Sequence, residues 1–481
     1  MLLIQNGLIY TMEEEMPVYA DMLIKDGKIE KIAEKIEPTV QMEIYDAKGL
    51  WVFPGFIDAH SHLGVAEEKT SVLSDTSNEA TTPITPTLRA IDTINPMDSA
   101  FHNALAAGIT GVMAGMGSAN PIGGQFAFIK THGRCIDDMV VMAPAAIKIA
   151  FGENPLTNYG TNGNMPSTRM GIANMIREEL FLAKQYFEKK DRDSSEVDFH
   201  MEAYRELFEG KIPLKAHVHR VDDIFTAIRI AKEFGLGLTL DHCTEGHLVA
   251  EKIAESGYPA IVGPSLTSRS KKECSALDFK TSGILQKAGV TVALTTDHPV
   301  SCVQYLPLCA GLAAKEGLGE YYALKAITID AARICGVDER IGSLKGYKEQ
   351  EKKLSVKVNE AAKEEHDHKV AMIVPGTILE GTVESLQTYG AFVALQDGLS
   401  GLVHISQISQ KRIKKPSEVL KVGDVVKVKV LNTNEGKISL SIKAVEEERE
   451  AEEMESLETQ EYSSDESVGT SLGDLFKNLK F

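Results

Sequence analysis

Four apolar runs in the first 300 residues end in groups able to bind a metal or carry a proton. FIDAHSH places His60 and His62, IPLKAHVHR places His217 and His219, LGLTLDH ends at His242, and VALTTD ends at Asp297. Residues two apart in a strand leave the same face, so each His-x-His pair presents both imidazoles together. Imidazole nitrogen and carboxylate oxygen suit a divalent metal, with zinc the first choice. A metal so held acidifies water and polarises a carbonyl. A carboxylate beside it can accept the water's proton. A single His-x-His is a weak signal and is often a core or surface pair. Four runs ending this way form a pattern, and His60, His62, His217 and Asp297 are the candidate ligands. His219 reads as a supporting residue behind His217, and His247 and His298 as structural or substrate-facing.

The elements that must position these groups alternate. After short strands in residues 1–50, WVFPGFIDAH, GITGVMAGM, VVMAPAAIKIAFG, YPAIVG and the runs above read as strands. Between them DDIFTAIRIAKEFG (222–235) and EGHLVAEKIAESG (245–257) read as helices ending at glycine. Repeated strand–helix units predict an α/β fold, a (β/α)8 TIM-like barrel whose active site lies at the carboxyl ends of the strands. In residues 1–50, Asn6-Gly7 and Asp26-Gly27 supply the positive φ of tight hairpin turns.

FPGFIDAHSHLG, KAHVH, LDH, TTDHP and RICGVDERIGSL together resemble the amidohydrolase superfamily, specifically its imidazolonepropionase-like branch, across nearly all of residues 1–345. The resemblance implies a metal-dependent hydrolase of non-peptide C–N bonds, acting on a cyclic amide or related small molecule. It makes His60, His62, His217 and Asp297 ligands, with Asp297 also the proton acceptor. His242 matches a histidine that either binds a second metal or polarises the substrate carbonyl. Some members add a carboxylated lysine or a glutamate from the fourth strand. Lys148 and Glu153 are the candidates, and one metal or two stays open. GPSLTSRSK (263–271) offers Arg269 as an anchor for a substrate carboxylate, or is a solvated loop.

From Val374 the pattern changes to short strands separated by turns, as in a small closed β-barrel. GAFV, GLVHIS, VGD and KISLSIK resemble the S1-type RNA-binding domain, an OB-fold. Tyr389, Phe392 and His404 can stack on bases. Lys411, Arg412, Lys414 and Lys415 can meet phosphates. The resemblance puts Tyr389, Phe392, His404, Asn434 and Lys437 on the face that meets single-stranded RNA. Phe392 could equally be core.

The domains expected are therefore partial β-sandwich strands at 1–50, the hydrolase barrel at 51–345, a charged linker at 346–370, the S1-type OB-fold at 371–445 and an acidic, disordered tail at 446–481. The sandwich is partial because the strands that follow GSL in amidohydrolases are replaced here by the linker. Unpaired edges then invite a homo-oligomer. The net charge of −18 is uneven: residues 371–445 carry nine Lys and Arg against six Asp and Glu, and residues 446–481 three against twelve. No apolar run is long enough for a membrane span. Six scattered cysteines without a secretion signal suggest the cytoplasm. The competing functional reading is an RNA-binding protein whose hydrolase half is inactive or a scaffold.

Overall fold

The computed structural model describes residues 1–68, 75–189, 197–345, 370, 373–395, 399–411, 413–433 and 438–449. The linker apart from Val370, most of the acidic tail, Arg412, Asn434 and Lys437 lie outside them. The chain forms two compact units, Met1–Glu351 and Lys352–Phe481. No described helix is long and apolar enough to cross a membrane.

The first unit opens with a single sheet of β1 (Leu2–Ile9), β2 (Val18–Lys25), β3 (Lys28–Ala33), β4 (Glu43–Asp46) and β5 (Trp51–Val52). Its order is β3-β2-β1-β4, with β5 also on β1. Asp26-Gly27 makes the expected two-residue turn, pairing Lys25 with Lys28 at φ 50° and 75°. Asn6-Gly7 does something else. Asn6 takes φ 61° inside β1 and the register shifts between Ile4 and Gly7, so the pair forms a bulge. Leu344 packs against this sheet's small core of Ile9, Ala20 and Met22. Val18, Tyr19, Ile44, Tyr45 and Trp51 remain exposed.

Eight further strands build the barrel: β6 (Phe56–Ser61), β7 (Ile109–Ala114), β8 (Ile122–Lys130), β9 (Val140–Ala150), β10 (Leu214–Val218), β11 (Leu238–His242), β12 (Ala260–Val262) and β13 (Val292–Leu294). They pair in sequence order. The seam between β13 and β6 is bridged just past β13, where Thr295 Oγ1 donates to His60 O and His62 N to His298 O. One strand departs from the expected all-parallel pattern, because β8 runs antiparallel to both β7 and β9. Only seven residues separate β7 from β8, and a parallel crossover needs about a dozen or more.

The outer helices follow the predicted periodicity. In Val221–Phe234, Ile224, Ala227, Ile228 and Ala231 are buried, Asp222 and Asp223 sit in the first turn, and Gly235 ends it at φ 69°. Against it packs Arg169–Glu188 through Ile172, Ile176, Leu180 and Ala183. The second expected helix is shorter, Ala250–Ala254, because Val249 has non-helical backbone.

The second unit is a closed barrel of β14 (Ile378–Gln387), β15 (Gly390–Ala394), β16 (Ser400–His404), β17 (Val425–Asn432) and β18 (Ile438–Ser441) in the order β14-β15-β16-β18-β17. This is the expected OB-fold. Val383, Ala391, Val393, Val403, Val428, Val430 and Leu440 fill it.

Candidate metal centre

Two groups of metal-binding side chains form at the ends of the barrel strands: His60, His62 and Asp297, and His217, His219 and His242. Within each group the ligand atoms lie within 4.8 Å of one another. His60 Nε2 and His62 Nε2 both stand 3.3 Å from Asp297 Oδ1. In the second group the ring centroids are 4.4–4.8 Å apart. His60 and His242, one from each group, are 5.1 Å apart by the same measure.

Every one of the five rings has its Nδ1 engaged from outside. His62 Nδ1 donates to Gly115 O at 2.8 Å and His242 Nδ1 to Gly263 O at 2.7 Å. His217 Nδ1 is hydrogen-bonded with Ser118 Oγ at 3.0 Å, and His219 Nδ1 with Thr244 Oγ1 at 2.7 Å. His60 Nδ1 lies 2.9 Å from Asp241 Oδ2. Asp241 in turn is held by Lys215 Nζ at 3.3 Å and Thr239 Oγ1 at 3.0 Å. Such outer partners fix ring orientation, and the carbonyl and carboxylate partners of His62, His242 and His60 leave Nε2 of those rings as the inward lone pair. His242 Nε2 and Asp297 Oδ1 are buried without a hydrogen-bond partner.

The backbone bends to aim these groups. His242, Cys243 and Asp297 take φ of 71°, 49° and 53°, a left-handed conformation that costs non-glycine residues energy and collects at functional sites. Burial would raise the Asp297 carboxyl, but the neighbouring His242, His60 and His62 hold it well below the usual range. Burial lowers the histidines: His242 falls to about 3, and His217 and His219 go well below the ordinary value, helped by mutual repulsion.

Lys148 and Glu153 part company. Lys148, on β9 beside Lys215, is fully buried with no hydrogen-bond partner for Nζ. Burial lowers its pKa to about 8. Glu153 Oε1 instead accepts from the Glu273 backbone N–H at 2.9 Å. Arg269 does not face the centre, since its guanidinium donates to Ser275 O and Leu277 O. Its neighbour Lys271 points inward, donating to Asn154 Oδ1 at 2.5 Å. His298 is buried, with Nδ1 accepting from Val303 N.

Two residues carry more than the sequence suggested. His219, read as a supporting residue, is a full member of the second group. Glu273 was missed: it is 1% exposed, and its Oε1 lies 3.9 Å from both His217 Nε2 and His219 Nε2. It comes from a short helical turn in the loop after β12, where no periodicity marks it.

On the second unit, Tyr389 is 49% exposed and His404 is exposed. Phe392 is half-buried and outward, because Ala391 and Val393 on either side fill the core. It pairs with Leu402, and Gly390 with His404, so Phe392 and His404 share a face. Lys411, Lys414 and Lys415 are exposed.

Residues 51–348 match the amidohydrolase family and residues 374–443 the S1 RNA binding domain. A solved amidohydrolase from Thermotoga maritima MSB8 is 41% identical, with a TM-score of 0.69, over 72% of this chain and 91% of its own. Amidohydrolase tasK of Hapsidospora irregularis is 28% identical over 68% of this chain and 36% of its own length. The small ribosomal subunit protein bS1 homolog of Bacillus subtilis is 50% identical over 21% of this chain and 27% of its own. The chain thus spans about a third of the length of the curated relatives it matches.

Proposed function

The chain belongs to the amidohydrolase family and carries an S1 RNA-binding domain, and on that premise we propose that it is a metal-dependent hydrolase of non-peptide C–N bonds that also binds single-stranded RNA. The substrate class is a cyclic amide or related small molecule, the metal is zinc, and the compartment is the cytoplasm. The observation that carries the hydrolase reading is the set of five histidines with engaged Nδ1 atoms and inward Nε2 atoms. The donor set fits the ion: neutral imidazoles, an ionised carboxylate and buried polar atoms without partners.

His60, His62 and Asp297 would hold one ion, and His217 and His242 the neighbouring position. Bound there, zinc supplies Lewis acidity towards the scissile carbonyl and acidifies the attacking water. Asp297, kept ionised beside three histidines, accepts the water's proton and returns it to the leaving nitrogen. Of the two roles for His242, the ligand role is the one its hydrogen bond supports. Its Nδ1 carries the proton towards Gly263 O, and with a pKa near 3 its Nε2 has none to give. It therefore acts as a ligand and does not donate to the carbonyl. Lys148 is preferred to Glu153 as the additional ligand, because a free buried amine can add CO2 while Glu153 is committed to the Glu273 backbone. Asp58 and Lys215 position His60, through its backbone N–H and through Asp241.

Metal analysis with a screen of cyclic amides and N-acyl compounds tests the proposal. Bound zinc with turnover abolished in Asp297→Asn is expected. Metal-free, inactive protein that still binds RNA would overturn the hydrolase half and favour the scaffold reading.

A further inference from the structure

Lys271 and Asn154 meet beside the centre because a clamp holds their neighbours together. Glu273 Oε2 accepts from the Glu153 backbone N–H at 2.8 Å, and Glu153 Oε1 accepts from the Glu273 N–H at 2.9 Å. The loop after β12 is thereby tied to the chain after β9. Gly152, at φ 80°, leaves the room this needs, since a Cβ there would stand 2.4 Å from Glu273 Oε2. So held, Lys271 Nζ donates to Asn154 Oδ1 at 2.5 Å, and Asn154 Nδ2 lies 3.4 Å from His217 Nε2. A single carboxamide therefore spans the gap between the ammonium and a candidate ligand ring.

The ammonium is open to a ligand arriving from solvent. Lys148 and Lys215 are sealed inside the barrel, whereas Lys271 keeps 35% of its side chain exposed. An ammonium has three donors, and the bond to Asn154 uses one. Glu273 Oε1, at 3.9 Å, is too far to take another. The acceptor facing Lys271 is thus a neutral amide, and a carboxylate there would form the stronger charge-assisted bond. The charge also reaches inward: burial, then His242, then Lys271 lower His219. The anchoring role that the sequence offered to Arg269 falls to this residue, two positions further on.

We propose that Lys271 binds a carboxylate of the substrate and sets the specificity of the centre. The substrates are then amides carrying a carboxylate within a few bonds of the scissile carbonyl, the distance that the Asn154 carboxamide covers. Asn154 acts as a positioning residue for the ammonium. The inference rests on the hydrolase reading of the site and narrows its substrate class.

The test compares kcat/KM on the zinc-loaded full chain for amides offered with and without their carboxylate. N-acetylalanine is set against N-ethylacetamide, and 5-oxoproline against 2-pyrrolidinone, beside any such pair from the wider screen. Wild type should prefer the carboxylate member by on the order of 10–100-fold, the range of a hydrogen bond to a charged group. Lys271→Met should bring that ratio near one, and Lys271→Arg should keep most of it. A lysine that only braced the loop would, when replaced, slow both members together and leave the ratio standing. That result, or a wild-type ratio near one, would overturn the inference while the hydrolase reading stands. No turnover of any pair by zinc-loaded wild type would overturn both.

Discussion

At the scale of single residues, the proposed ligands fall into neutral imidazoles and one ionised carboxylate, Asp297, which is also the proposed proton acceptor. His60, His217, His219 and His242 are buried and held neutral, whereas Asp297 is held ionised. Asp297→Asn removes the only described carboxylate between His60 and His62, and kcat should drop by about 10²–10⁴. Steady-state kinetics with matched metal loading checks this. The histidines also set an acid limit for the metal-free protein. Each has a folded pKa below its unfolded value of about 6.5, so its contribution is present above that pH and lost as pH falls. Asp58 acts in the opposite sense, since burial raises it to about 6, but one carboxyl is outnumbered by four imidazoles. Unfolding free energy of the metal-free protein should therefore fall by on the order of 2–3 kcal/mol between pH 7 and 6. A flat urea-midpoint profile over that interval would contradict it.

At the scale of elements, the strand ends were legible in sequence and the loops between them were not. His-x-His at strand period announced His60, His62 and His217 because both side chains must leave one face. His219, like His62, lies one residue past its strand, where alternation no longer enforces direction, and the sequence read it as a supporting residue. Thr244 restores that direction, and nothing in the spacing of 219 and 244 signals it. β8 (Ile122–Lys130) was not among the strands read from the sequence, and its reversal follows from the short approach from β7. Glu273 was not legible, because its position depends on a reciprocal clamp between loops 120 residues apart, in which Glu273 Oε2 accepts from the Glu153 N–H and Glu153 Oε1 from the Glu273 N–H. Gly152→Ala should break that clamp, adding left-handed strain and a collision, and lower stability by about 1–3 kcal/mol. A thermal melt reads it directly. In the small barrel the alternation of β15 resolves Phe392 as an outward ring. Phe392→Ala should weaken single-stranded RNA binding by about 1–3 kcal/mol per stacked base with little change in melting temperature. Equal losses of both would put the ring back in the core.

At the scale of the whole molecule, the two compact units predict that the proposed hydrolysis and RNA binding are separable. Raising salt should weaken RNA binding steeply and leave hydrolysis nearly unchanged, because the candidate metal ligands are almost fully buried. Parallel measurements at 50 and 200 mM salt compare them. The first unit has a second notable surface away from its metal centre. A cleft of about 1090 Å³ lies between the N-terminal sheet and the helices near residues 307–324, lined by Tyr10, Trp51, Phe53 and Tyr321, and it holds none of the five histidines. With Val18, Tyr19, Ile44 and Tyr45 also exposed on that sheet, residues 1–345 produced alone should self-associate. Light scattering showing a monodisperse monomer would refute this.

The short turn from β7 to β8 has a last consequence. Within four residues it supplies Gly115 O to His62 and Ser118 Oγ to His217, one ring from each group. Gly115 rests against Phe126 and Gly117 against Asn78, each too close for a Cβ. The turn is therefore a mechanical linkage between the two halves of the centre. Any displacement of it detunes both together, so variants selected for altered behaviour at one half will carry a correlated change at the other.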